Sequence, residues 1–205
     1  SSSSRGLGDV YKRQISKIEG LQRIRYLTSH PSDIKEDLIK EHGNNPKLMP
    51  YLHLPIQSGS NKILKKMNRK HTKESYIELI KKARIARSDL AISSDFIVGF
   101  PGETNKDFEE TLEVVKEINF ASSYSFKYSP RPGTPASLMK DHVEEETKTN
   151  RLQILQKELN NQQEIFNNSF LGQRLSVLFE KKGKKTNQFV GKSQYLQPVH
   201  WSLIL

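Results

Sequence analysis

Gln57, Arg69 and Asp95 are the residues of this chain with the clearest chemistry to offer. Gln57 follows the apolar run Leu54-Pro55-Ile56, Asp95 stands within Ile92-Ser93-Ser94-Asp95-Phe96-Ile97-Val98, and Arg69 lies between the two. An amide and a carboxylate at neighbouring strand ends can both accept from the hydroxyls of a ribose diol. An arginine can clamp a carboxylate with two parallel hydrogen bonds. The three together suit a ligand with a sugar and an amino-acid tail. They could equally be spent on the protein itself, Gln57 and Asp95 on loop backbone and Arg69 as a surface charge. Ser58, Ser60 and Glu103 lie at or just beyond the same strand ends. The two glycines of Val98-Gly99-Phe100-Pro101-Gly102-Glu103 would let a flat ring approach the backbone, or simply make a tight turn. They fit neither a dinucleotide fingerprint nor a phosphate loop. His30, His53, His71, His142 and His200 show no metal-binding spacing, and no Ser-His-Asp arrangement can be argued.

Such a set needs a strand, a loop, a helix and a second strand to position it. Leu52–Gln57 and Ile92–Val98 are short apolar runs that stop at polar turns, as buried parallel strands do. Between them Tyr76, Leu79, Ile80 and Ala83 share one helical face. In such folds ligands sit where strands end. Upstream, Arg23–Ser29 reads as a strand broken by His30-Pro31. Ser32 or Asp33 is then expected to cap a helix carrying Ile34, Leu38 and Ile39. Downstream, Thr104 and Asp107 form a loose capping box before the stripe Phe108, Leu112, Val115 and Ile118. Ser123–Ser129 reads as another strand. Four strand-to-helix repeats in a row predict an α/β fold with a parallel sheet, too few to close an eight-stranded barrel.

A long helix is expected over 144–171, ended by Gly172. The pattern then changes to alternation, with Leu175, Val177 and Phe179 on one face and a second strand over 188–193. This is a small β module, and its turn is basic: Lys181-Lys182-Gly183-Lys184-Lys185. These lysines could grip phosphates, with Phe189, Tyr195 and Trp201 nearby for base stacking, or form a solvated hairpin tip.

The chain has 205 residues, room for one sizeable domain and a small appendage. Its 33 Lys and Arg against 23 acidic residues give a net charge of +10, which suits a polyanionic partner such as nucleic acid. It contains no cysteine, which excludes disulfides and thiolate metal sites within it and fits a cytoplasmic setting. No apolar run approaches the roughly 20 residues that span a bilayer, so no membrane partner is expected. Residues 1–14, opening on four serines, read as a translated adaptor and are set aside.

TSHP (28–31), LHLPIQSGS (52–60), MNRKHT (67–72), SSDFIVGFPGET (93–104) and YSPRPGTPA (128–136) stand in an order that resembles the radical S-adenosylmethionine (SAM) methylthiotransferases. The resemblance covers nearly all of 22–200. It implies that 15–171 is the later part of a partial (β/α) radical SAM barrel and that 172–205 is a truncated TRAM-like small β-barrel that binds RNA. Gln57 and Asp95 would hold the SAM ribose, Arg69 the methionine carboxylate, and Val98 and Gly99 would flank the adenine. Lys181, Lys182, Lys184, Lys185 and Lys192 would face tRNA. Lys192 stands in Gly191-Lys192-Ser193, where the family often has Gly-Arg-Thr. Pro55 favours the branch that adds a methylthio group at C2 of N6-isopentenyladenosine next to the anticodon. The alternatives are the branch acting on threonylcarbamoyl-adenosine and a non-catalytic RNA-binding module. A relative of coproporphyrinogen dehydrogenases would share the Gln, Arg and Asp set, but the TRAM-like tail and YSPRPGTPA stand against it. The family holds a [4Fe–4S] cluster through CxxxCxxC and a second cluster through an N-terminal domain. This chain lacks those cysteines, so it is expected to be a fragment lacking the N-terminal half, inactive alone.

Overall fold

The computed structural model describes residues 14–28 and 30–202. The adaptor expectation for residues 1–14 lies, apart from Gln14, outside the described residues.

Leucine, isoleucine and aromatic side chains set the architecture. Helix α1 (Glu36–Asn44) precedes strand β1 (Tyr51–His53), and helices α2 (Asn61–Lys66) and α3 (Lys73–Ala86) lead to β2 (Ala91–Val98). Helix α4 (Asn105–Ile118), strand β3 (Ser122–Lys127) and the long helix α5 (Glu145–Asn168) complete this part of the chain. The three strands form a parallel sheet in the order β1-β2-β3, so each connection is a crossover carrying helix. Side chains alternate across the sheet. Leu52, Ile92, Phe96 and Val98 face the helices and pack with Tyr76 and Ile80 of α3, Phe108 and Val115 of α4, and Leu155 and Leu159 of α5. By the strand register, Tyr51, His53, Asp95, Ile97, Tyr124 and Phe126 face the other way. That face is open: Tyr124 is 62% and Phe126 55% exposed.

The local signals explain most of the helix ends. The Thr104 hydroxyl accepts from the Asp107 N–H at 3.3 Å, and the Asp107 carboxylate accepts from the Thr104 N–H at 2.8 Å, a closed capping box. Thr72 and Ser75 form a second one on α3. The start of α1 differs from expectation. Ser32 and Asp33 lie in a 3-10 turn, Pro31–Asp33, and the helix begins after Lys35 with no side-chain cap. Residues 23–28 also fall short of a strand. Ile24 alone bridges Leu48, in parallel sense. The arginines on either side of Ile24 bond to a second sheet instead.

That sheet is antiparallel and separate from the first, built from strands β4 (Val177–Lys182), β5 (Gln188–Ser193) and β6 (Pro198–Ser202). A register shift between Phe179 and Lys181 marks a bulge in β4. The sheet docks on the body through its Ser193–Gln197 turn. Arg23 donates to the Lys192 carbonyl at 3.0 Å and to Ser176 Oγ at 2.8 Å, and Arg25 to the Ser193 carbonyl at 2.8 Å. Tyr195 is buried against Phe166 and Phe170 at the end of α5, and its hydroxyl donates to Asp89 at 3.2 Å. Neither sheet closes into a barrel among the described residues. No helix among them is long and apolar enough to cross a membrane.

Candidate functional site

Strand β1 is followed by a run, Leu54-Pro55-Ile56-Gln57, that meets β2 again at Gln57. The Gln57 N–H donates to the Asp95 carbonyl at 2.9 Å, and the Ile97 N–H donates to the Gln57 carbonyl at 2.9 Å. This pairing puts Gln57 beside Asp95. Gln57 has φ +76°, an uncommon left-handed conformation for a residue other than glycine. Its side chain is buried, yet its amide has no hydrogen-bond partner among the described residues. Its polar atoms still touch solvent, so the amide can bond water or a polar ligand.

Asp95 projects from the open face. His53, on the same face of β1, lies 3.5 Å from its carboxylate through Nε2 and 2.9 Å from Ser93 Oγ through Nδ1. Arg69 lies just beyond α2 and is half-buried, with no side-chain hydrogen bond among the described residues. Burial pulls its guanidinium below the usual arginine value, and the charge of Asp95 pulls it back up. The structure thus brings Gln57, Arg69 and Asp95 to one end of the parallel sheet, with polar capacity left over. His53 belongs with them, although its sequence context carries no metal-binding spacing to single it out.

Val98 and Gly99 are placed differently. The Val98 side chain is buried under the helices, so it can offer a ligand only backbone, and its carbonyl already accepts from the Tyr128 N–H at 2.8 Å. Gly99 has φ +72°, and a Cβ there would stand 2.3 Å from Lys148 Cγ. Its N–H donates to Glu103 Oε1 at 2.9 Å. The tight turn and the helix behind it account for this glycine. Ser58, Ser60 and Glu103 are spent on packing. Ser60 donates to Asp107 at 2.7 Å, and Ser58 lies 3.4 Å from Thr111 Oγ1. Glu103 pairs with Arg151 at 2.8 Å. Burial pushes the Asp107 carboxyl up, but hydrogen bonds from Lys62, Thr104 and Ser60 outweigh it and hold the group well below the usual carboxylate range.

His71, beside Arg69, is buried, and its Nε2 donates to the Ile56 carbonyl at 3.2 Å. Burial drops its pKa from 6.5 to about 4; the hydrogen bond opposes this, and the charges of His30 and Arg69 add to it. Between those values the unfolded chain binds the proton better. Stability is therefore full above about pH 6.5 and falls as pH drops toward 4, by on the order of 3 kcal/mol from this group. Glu103, lifted above its ordinary value by burial, contributes with the opposite sign. Urea midpoints at pH 7 and pH 4.5 measure the difference. His71→Gln keeps a donor without titrating and should flatten it. An equal loss in both proteins would refute the assignment.

At the second sheet, Lys181, Lys182, Lys184 and Lys185 gather at one exposed hairpin tip. Lys192, opposite Leu178, sits at the other end of β5, next to the joint. Phe179, Phe189 and Trp201 form a partly exposed trio with ring centroids 6.0–6.3 Å apart. Tyr195, expected among the stacking aromatics, is instead buried in the joint.

Comparison with known proteins bears on the family and the fold. The model of the Radical SAM superfamily matches residues 6–115. A tRNA-2-methylthio-N(6)-dimethylallyladenosine synthase from Rickettsia typhi is 56% identical over 95% of this chain and 43% of its own length. Its counterpart from Wolbachia pipientis wMel is 59% identical over 90% of this chain and 42% of its own length. The chain thus spans less than half of these relatives. Among solved structures, coproporphyrinogen III oxidase from Escherichia coli, a radical SAM enzyme, is similar with a TM-score of 0.54 and 23% identity. That likeness covers 65% of this chain and 31% of that one, and speaks to the fold alone.

Proposed function

Since the chain belongs to the radical SAM superfamily, we propose that it forms the SAM-holding and RNA-facing part of a tRNA methylthiotransferase. The reaction is addition of a methylthio group at C2 of N6-isopentenyladenosine next to the anticodon, in the cytoplasm. The identity to synthases named for that nucleoside supports the substrate. In this reading the parallel sheet is the later part of a partial (β/α) barrel, and the antiparallel sheet belongs to a TRAM-like barrel.

The observation that carries the proposal is the cluster of unspent polar groups at the sheet end. Gln57 and Asp95 accept from the two ribose hydroxyls of SAM, and Arg69 clamps its methionine carboxylate. His53, 3.5 Å from Asp95, holds that carboxylate in place. Val98 and Gly99 border the adenine through backbone alone. Bound SAM, together with a [4Fe–4S] cluster held elsewhere in a whole enzyme, would supply radical chemistry. The chain has no cysteine, so it offers that cluster no thiolate and is inactive alone. The exposed lysines of the β4–β5 tip, with Lys192 and the Phe179, Phe189 and Trp201 trio, take tRNA phosphates and bases.

Calorimetric titration of the chain with SAM tests the site. Asp95→Ala and Arg69→Ala should each weaken binding by about 10- to 100-fold, the scale of a lost charge-assisted hydrogen bond. Unchanged affinity in both would sink the assignment.

A further inference from the structure

The end of β1 is a bulge. From His53 to Gln57 the chain takes four steps where β2 takes three, from Ser93 to Phe96. One extra residue therefore lies between two paired positions, which bends the strand and re-aims the side chains beyond it. Pro55, with no N–H, sits inside this irregular stretch, where a missing donor is tolerated. The ladder cannot serve the backbone groups that the bulge displaces.

Three buried side chains serve them instead. Ser94 Oγ accepts from the Ile56 N–H at 3.0 Å. The Tyr76 hydroxyl donates to the Leu54 carbonyl at 2.7 Å. His71 Nε2 donates to the Ile56 carbonyl at 3.2 Å. A carbonyl only accepts, so His71 carries its proton on Nε2 and leaves Nδ1 as a lone pair. Nδ1 is buried and unpartnered. A second proton there would be an unsatisfied buried donor beside Arg69 and His30. It would also stand just before Thr72, the cap of α3, at the positive end of a helix. Tyr76, the remaining ring against His71, at 6.2 Å, is neutral as well.

We propose that His71 is a positioning residue for the SAM site: as a fixed Nε2–H tautomer it anchors the Ile56 carbonyl and so holds Gln57 in its left-handed conformation, aimed at the ligand. The peptide that begins with this carbonyl supplies the N–H of Gln57, which is bonded to the Asp95 carbonyl. Loosening it therefore disturbs both members of the proposed ribose pair. The proposal rests on the SAM reading for its function but not for its geometry, and the two fail separately.

Nitrogen-15 NMR of the whole chain reads the tautomer directly. His71 should show Nε2 protonated and Nδ1 bare, with no titration between pH 5 and 7.5. In His71→Leu the Gln57 and Ile97 amides should exchange with solvent about ten-fold faster, the scale of one lost neutral hydrogen bond, and the Leu54 amide should not change. SAM affinity should drop by a similar factor. His71→Gln, which restores a donor at the reach of Nε2, should recover both to within about three-fold. An Nδ1–H tautomer, or a His71→Leu protein with unchanged exchange at Gln57 and Ile97, would overturn the inference. If the native chain fails to bind SAM, the SAM reading falls, and the exchange and tautomer data decide the positioning role alone.

Discussion

Arg151→Met should destabilise the protein by about 3–5 kcal/mol, read as a fall in the urea midpoint at pH 7. The side chains of Arg151 and Glu103 are 6% and 1% exposed. Arg151 Nη1 donates to Glu103 Oε1 at 2.8 Å and to the Glu103 carbonyl at 3.2 Å, and Nη2 donates to Asn105 Oδ1 at 2.8 Å. Phe108 lies under the guanidinium at 5.7 Å. Removing the cation leaves a carboxylate buried with only the Gly99 N–H to hold it, and a buried charge without its partner is among the costliest defects a fold can carry. Burial already lifts the Glu103 carboxyl above its ordinary value and Arg151 opposes that lift, so losing Arg151 raises it further. The double variant Arg151→Met/Glu103→Gln should recover more than half of the loss, because no charge is then stranded and the amide still accepts from Gly99. A loss below about 1 kcal/mol in the single variant would show that the pair does not clamp the Gly99–Glu103 turn to α5.

That clamp illustrates what a sequence can and cannot disclose. Helix α4 was legible from Thr104, Asp107 and the spacing of its apolar residues because every cause of it lies within one turn or one helix face. The Gln188–Ser193 strand was legible for the same reason. Glu103 looked like a residue for a ligand because it stands at a strand end. Its partner is 48 residues away on α5, and nothing local announces that. Residues 23–28 fall short of a strand in the same way. The alternation Arg-Ile-Arg is real, but Arg23 and Arg25 reach carbonyls of residues 192–194, about 170 positions downstream. Alternation set by a distant docking turn is indistinguishable in sequence from alternation set by a sheet.

The site divides along the same line. Gln57, Arg69 and Asp95 could be singled out by type and by the ends of two apolar runs. His53 could not, since placing it beside Asp95 needs the register Tyr51↔Ala91, and register is a property of two strands together. His71 could not either. Its hydrogen bond goes to a bulge that appears only when the end of β1 is aligned with β2. Val98 ends β2 and Gly99 opens the turn after it. What the sequence hid was that Val98 faces the core and that Lys148 of α5 packs behind Gly99.

Gly59→Ala should cost about 3 kcal/mol, at the upper end of ordinary overpacking, and should weaken any ligand held by Gln57 two residues earlier. A Cβ at Gly59 would stand 2.5 Å from the Glu110 carbonyl oxygen and 2.5 Å from Thr111 Cα, both backbone of α4. Neither can rotate away as a side chain would, so the loop and the helix must part. Parting them strains a connected set of bonds. The Gly59 N–H donates to Thr111 Oγ1 at 2.9 Å, Ser60 donates to Asp107 at 2.7 Å, and Lys62 reaches the same carboxylate at 2.8 Å. Asp107 in turn closes the cap of α4, so the damage spreads from a methyl group to a helix end. Gly59 does not have a positive φ, and the whole effect is therefore steric. Gly133→Ala is the matched control. Its Cβ would meet nothing within 4 Å, but its φ of +80° carries a conformational cost of about 1 kcal/mol. Steric contact predicts Gly59→Ala to be the more damaging of the two in urea unfolding. The reverse order would mean that the loop and α4 are not packed as tightly as the structure places them.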